Sequence, residues 1–198
     1  MISNYITITD LQNSTLGICK ISHIPNEVKE SFTLSQRDQE YYNNIRNSRR
    51  KNEWLATRIL LNHMLDNNHQ ILYTENGKPY LKDHQYDLSI SHSKEYATIL
   101  LSSTKQVALD IENTKRRISH LKNKFVNNNE TPQNDFDLFK IWCAKEAIFK
   151  LVNRHPIDLQ NETIVDLIKE QIYYTTTNET FQLNFINIED ELLCYIIG

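Results

Sequence analysis

The sequence predicts an α/β protein of the α+β kind, made of two similar halves in which a helix packs on a mostly antiparallel sheet. An amphipathic helical run followed by short alternating runs occurs at residues 48–101 and again at 136–197. The connections between successive short apolar runs are brief and rich in turn residues, which favours hairpins over crossovers. At 198 residues, 39% apolar and 24% charged, the chain has ordinary globular composition and length for one or two cores. The boundary is expected near residues 102–105, giving halves 1–103 and 104–198.

In the first half, SRRKNEWLATRILLNHML reads as a helix from Ser48, with Trp54, Leu55, Ile59, Leu61 and Leu65 as its apolar surface and Arg49, Arg50, Lys51 and Arg58 as its charge. Cations in a first helical turn oppose the helix dipole, so each either extends into water or receives an anion such as phosphate. The pair Asn76-Gly77 between ILYT and PYL is a strong hairpin signal and sets Lys78 just after the turn. LSISHS, residues 88–93, alternates like a strand and ends in Ser91, His92 and Ser93 before a second strand starts at Tyr96. Hydroxyls, an imidazole and turn amides are groups that hold phosphate oxygens, although such residues also serve as ordinary caps.

The second half opens on QVALDIE, residues 106–112, where Val107, Leu109 and Ile111 alternate with Ala108, Asp110 and Glu112 as in a half-buried strand. Two residues along a strand span about 7 Å, so Asp110 and Glu112 share a face and can lean toward one hard divalent ion. The alternative is the solvated outer face of a charged edge strand. A basic stretch follows, with Lys115, Arg116, Arg117, Lys122 and Lys124 and no acidic residue. In WCAKEAIFK, residues 142–150, Ile141, Ala144, Ile148, Leu151 and Val152 form the core face, and Glu146 and Lys150 point the other way. By itself, Glu146 with Lys150 reads equally as a surface ion pair. QIYYTTT, TFQLNFINI and ELLCYIIG complete the half as antiparallel strands.

The Arg-rich helix ending EWLATR, the NGKPYL turn, the SISHS segment, the DIE strand and the WCAKEAIFK helix, in that order, resemble the 4'-phosphopantetheinyl transferase superfamily in its surfactin-type branch. The resemblance runs along most of the chain, and its last two pieces are the specific ones. Ala108 stands where the family usually has glycine, and the interval between DIE and WCAKE is shorter than in most members.

The resemblance implies a pseudo-dimer of two α/β halves with coenzyme A in the cleft between them, the first half binding the coenzyme and the second carrying the metal and the catalytic acid. It implies transfer of the phosphopantetheine arm to a serine of an apo acyl or peptidyl carrier protein. Magnesium, replaceable by manganese, would be held by Asp110, Glu112 and Glu146; Glu146 would also serve as base, and Lys150 would lie beside the phosphates. Arg50, Arg58, Lys78, Ser91 and His92 match the coenzyme-binding positions, with Arg49 and Lys51 competing for the place of Arg50. Lys145 fits the motif without an assigned role. The competing functions are an inactive coenzyme or nucleotide-binding module and a magnesium-dependent phosphodiesterase.

The basic stretch suits an acidic carrier, because it is locally positive in a chain of net charge -3. It lacks interleaved aromatics, so a nucleic-acid surface is not expected. Cys19, Cys143 and Cys194 form no metal spacing, and with no secretory leader and no apolar run of about 18 residues the expectation is a reduced, cytoplasmic, non-membrane protein. A monomer suffices if both halves lie in one chain.

Overall fold

The computed structural model describes residues 4–65 and 69–198. In chain order the elements are β1 (Ile6–Asp10), β2 (Ser14–Lys20), α1 (Asn26–Ser31), α2 (Gln36–Asn44), α3 (Ser48–Met64), β3 (Ile71–Tyr73), β4 (Pro79–Leu81), β5 (Asp87–His92) and β6 (Tyr96–Ser102). They continue with β7 (Val107–Asn113), α4 (Lys122–Phe125), α5 (Asp135–Val152), β8 (Thr163–Asp166), β9 (Gln171–Tyr174), β10 (Glu179–Gln182), β11 (Asn184–Ile188) and β12 (Glu191–Ile197). Every ladder is antiparallel, in sheets ordered β1-β2-β6-β5, β11-β12-β7, β10-β9-β8 and β3-β4. This is the α+β architecture that the short hairpin spacings indicate.

Three apolar clusters explain the layering. One joins α3 to β6 through Trp54, Leu55, Ile59, Ala97, Ile99 and Leu101. A second joins α5 to β12 through Ile141, Ala144, Ile148, Leu192, Cys194 and Ile196. The third lies between the two larger sheets, where Leu16, Tyr96 and Leu100 meet Val107, Leu109, Ile111, Leu193 and Tyr195. Alternate residues of β6 and of β12 therefore face opposite cores, and both strands read as continuous apolar runs. β7 is buried from Val107 through Ile111, and only Glu112 and Asn113 are partly open. The expected half-buried strand is thus corrected: the second sheet covers one face and α5 covers the other.

Each long helix starts where its sequence directs. The Asn47 side chain caps α3 by accepting from Arg50 N at 3.0 Å, and Asn134 caps α5 by accepting from Asp137 N at 2.9 Å. Asp135 and Asp137 favour the positive end of α5, and Asn153 closes that helix in the left-handed region at φ 46. Leu65 caps the C-terminus of α3 rather than extending the helix. Gly17 of β2 lies under that end of α3, where a Cβ would collide with Met64 Sδ.

The 74–78 connection is not a two-residue turn. Gly77 N donates to Thr74 O, Thr74 N donates to Lys78 O, and Gly77 takes φ +81, so Glu75 and Asn76 form the turn and glycine the following bulge. The expected single strand TFQLNFINI divides at Leu183, whose N–H turns away to Glu170 O at 2.7 Å. The basic stretch is not a plain loop, because Ile118, Phe125 and Val126 are buried and α4 forms within it.

Candidate active site

The two larger sheets meet along a seam that uses no backbone ladder. β5 ends one sheet and β7 ends the other. On one face of β5, Asp87 Oδ2 accepts from Val107 N at 2.7 Å, Ser89 Oγ from Leu109 N at 3.0 Å, and Ser91 Oγ from Ile111 N at 3.4 Å. Both numbers of each pair ascend by two, so the edges run parallel, and short polar side chains of one strand satisfy the amides of the other.

Asp110 sits in this seam, 6% exposed. Its Oδ1 accepts from Ser91 Oγ at 2.8 Å and from Lys150 Nζ at 2.8 Å. Lys150 Nζ also donates to Ser91 Oγ at 2.9 Å and to Leu109 O at 3.0 Å, which occupies all three ammonium donors. Lys150 therefore pairs with Asp110, and the surface pair of Glu146 with Lys150 is not among the ion pairs of the described residues. The solvated edge-strand alternative for Asp110 fails for the same reason. Glu112, less buried, accepts from Trp142 Nε1 at 2.6 Å and faces Arg116 at 3.0 Å.

The three acids share one electrostatic field. Burial, and then the charge of Asp110, pushes Glu146 up to about 7 against the pull of Lys150. Burial and Asp110 likewise raise Glu112, while Trp142 and Arg116 lower it. Asp110 Oδ2 is buried and has no hydrogen-bond partner. Among the described residues, no three His, Cys, Asp or Glu side chains converge into a ready cation cage. The donor set is nevertheless all carboxylate, with one oxygen of Asp110 left unbonded, which is the chemistry of a hard divalent ion such as Mg²⁺.

Beside the seam lies a cavity of about 600 Å³. Arg50, Arg58, Lys78, Ser91, His92 and Lys150 all line it. They come from α3, the 74–78 turn, β5 and α5, so these residues, dispersed in sequence, converge on one wall system. Of the three adjacent cations, Arg50 reaches the cavity, Arg49 is held by Glu53 at 2.6 Å, and Lys51 lies over the Tyr42 ring at 4.3 Å. Lys78 faces Asp87 at 3.4 Å. The Arg58 guanidinium stacks on Trp54 at 3.8 Å, and its buried Nε has no partner. Cationic and half-apolar, the cavity suits a phosphorylated ligand with an organic body.

Lys145, next to Glu146, faces elsewhere. Fully buried, it pairs with Glu130 at 2.9 Å and donates to Leu159 O and Thr163 O. Glu53, Ser89 and Trp142 contact the site without having an expected role, and Arg116, expected in the carrier-facing basic stretch, faces Glu112. Only Ser89 had a usable signal, since it is two residues from Ser91 on the same strand face.

The chain is 34% identical over 112 residues to 4'-phosphopantetheinyl transferase AcpT of Escherichia coli (strain K12), covering 51% of this chain and 57% of AcpT. AcpT of Escherichia coli O157:H7 gives the same figures. A Haemophilus influenzae protein provisionally named 4'-phosphopantetheinyl transferase is 26% identical over 145 residues, covering 62% of this chain and 61% of its own length. The alignments thus span somewhat more than half the length of these relatives. No protein-family model matches the chain. No helix among the described residues is long and apolar enough to cross a membrane.

Proposed function

We propose that this protein is a 4'-phosphopantetheinyl transferase of the surfactin-type branch, moving the phosphopantetheine arm of coenzyme A to a serine of an acyl or peptidyl carrier protein. The observation that carries the reading is the convergence of Arg50, Arg58, Lys78, His92 and Lys150 on one cavity, two of whose lining residues, Ser91 and Lys150, hold the buried carboxylate of Asp110 behind its wall. Similarity to proteins named for this activity supports it. In this reading, residues 1–103 supply most of the coenzyme cavity and residues 104–198 supply the acids.

The cations offset the charge of the coenzyme phosphates, with Arg50 and Arg58 at the 3'-phosphate end and Lys78 along the diphosphate, where His92 serves as a hydrogen-bonding group. Ser91 and Lys150 hold Asp110 Oδ1, which fixes the direction of Oδ2. Asp110, Glu112 and Glu146 are the carboxylates that would hold magnesium, which would supply charge neutralisation at the diphosphate. The acceptor serine oxygen forms a bond to the phosphorus of the pantetheine arm, and the bond from that phosphorus to the bridging oxygen breaks. Adenosine 3',5'-bisphosphate leaves with the electron pair. Glu146, raised to about 7, is matched to receive the serine proton near neutral pH.

The reaction needs one copy of the chain in this arrangement, and three buried free thiols suit a reducing cytoplasm. Intact-mass measurement of an apo carrier protein incubated with this protein, coenzyme A and Mg²⁺ tests the proposal. One added phosphopantetheine is expected, absent with Glu146→Ala or a chelator. No addition to any of several carriers, with coenzyme A still bound, would leave a binding module; cleavage without an acceptor would indicate a phosphodiesterase.

A further inference from the structure

Glu53 is an acid that the transferase reading does not use. It lies on α3, its side chain only 6% exposed, beneath two far more open side chains, Arg49 at 60% and His92 at 48%. Each carboxylate oxygen faces one of them. Arg49 Nε donates to Oε1 at 2.6 Å, and His92 Nδ1 stands 3.5 Å from Oε2. The second distance is long for a hydrogen bond, as it often is in a site without its ligand.

His92 stands on a wall shared by two cavities. One is the coenzyme cavity; the other, of about 660 Å³, is lined by Arg49, Glu95, Glu112, Arg116 and Glu191. An imidazole there can address either side, and its orientation decides which. A carboxylate facing Nδ1 settles the question, since it can only accept from an Nδ1–H and leaves Nε2 on the far edge of the ring.

We infer that Glu53 is a positioning residue, which ties His92 through Nδ1 so that Nε2 is presented to the phosphate oxygens of the ligand in the coenzyme cavity. Arg49 completes the arrangement by holding the other carboxylate oxygen, so a cation next in sequence to Arg50 serves the site indirectly. The charges facing the ring are consistent with this. On balance His92 is held below its ordinary range, chiefly by burial with Lys150 and Arg49 adding to it, while Glu53 and a backbone hydrogen bond of the ring act toward the charged form that can donate from Nε2.

The identity of the ligand rests on the proposed transferase reading; the ring geometry does not, and the two are tested separately. Long-range ¹H–¹⁵N NMR of the full chain at about pH 8.5, where an ordinary histidine is neutral, reports the His92 tautomer without any ligand. The Nδ1–H form is expected in the wild type and in Glu53→Gln, and the Nε2–H form in Glu53→Ala. A wild-type ring in the Nε2–H form overturns the inference even if Glu53→Ala does not fold, as does an Nδ1–H ring that persists in Glu53→Ala. With coenzyme A as ligand, Glu53→Ala is expected to raise KM on the order of tenfold with a smaller change in kcat, as when an outer-shell partner of a ligating histidine is removed. Glu53→Gln should restore most of that loss. If neither variant changes KM in a working transferase, the inference fails while the transferase reading stands.

Discussion

Replacing Lys145 by methionine should unfold the protein more readily without touching the coenzyme cavity, although the neighbouring Glu146 is at the heart of the proposed site. Lys145 is fully buried and joins three segments: Glu130 at 2.9 Å, Leu159 O at 3.0 Å and Thr163 O at 3.2 Å. Glu130 in turn accepts from Asn127 N at 2.6 Å and Val165 N at 2.7 Å, so the pair ties the loop after α4 and the start of β8 to α5. Removing the ammonium leaves a buried carboxylate without its counter-charge. That loss is typically about 3–5 kcal/mol, against a total stability of about 5–15 kcal/mol. For a chain of this size it corresponds to a fall in Tm of roughly 10 °C. Urea titrations of Lys145→Met, Glu130→Gln and the double variant measure it, and the double should lose less than the sum by about 1–3 kcal/mol. Coenzyme affinity well below the transition should match the wild type. A single-variant loss under about 1 kcal/mol, or strict additivity, would refute the reasoning.

Three further outcomes follow from the geometry. Ser91→Ala removes a hydroxyl shared by Asp110, Lys150 and Ile111 N; it should destabilise by about 1–3 kcal/mol and lower transfer, as read by denaturation and by carrier mass. Neutralising Lys115 and Arg117, leaving Arg116 on Glu112, should raise the carrier's KM at low salt and have no effect at high salt; equal KM at low salt would remove the steering role of the basic stretch. Hydrogen bonds from the Asn161 side chain and backbone and from Gln160 N hold the Asp158 carboxyl below its ordinary range. Its contribution is therefore complete above the unfolded value near 4 and disappears as pH falls through the lower folded value, so Asp158→Asn should flatten the acid limb of a stability–pH curve.

The coarse fold could be read from local signals, whereas the residues that line the cavity were expected from the ordered family resemblance, each being locally readable as an ordinary surface, turn or capping group. Helix period and strand alternation located α3, α5 and the β5–β6 hairpin, and the side-chain alternation of β7 put Asp110 and Glu112 on one face. What escaped was set by tertiary contact. β1 and β2 carry no strong turn signal, yet pairing with β6 makes β2 a central strand. β7 alternates like a half-buried strand and is buried on both faces because another sheet packs against it. Lys150 follows Glu146 at the spacing of a surface pair but turns to Asp110, a partner forty residues earlier. Glu53 shows in the sequence only as the second half of an i,i+4 pair with Arg49, the mark of a surface residue, and its burial depends on tertiary contact that brings a histidine of another element beside it.

The seam between β5 and β7 has a further consequence. In an ordinary sheet the distance between strands is fixed near 4.8 Å by the backbone itself, and no substitution alters it. Here the spacing is written in side chains, Asp87, Ser89 and Ser91, each spanning to an amide of the facing strand. The width of the cleft thus becomes an evolvable dimension. Lengthening or shortening Ser89 or Ser91 moves a wall of the cavity while every ladder in both sheets stays intact. These three positions are where the geometry of the seam can be changed one atom at a time.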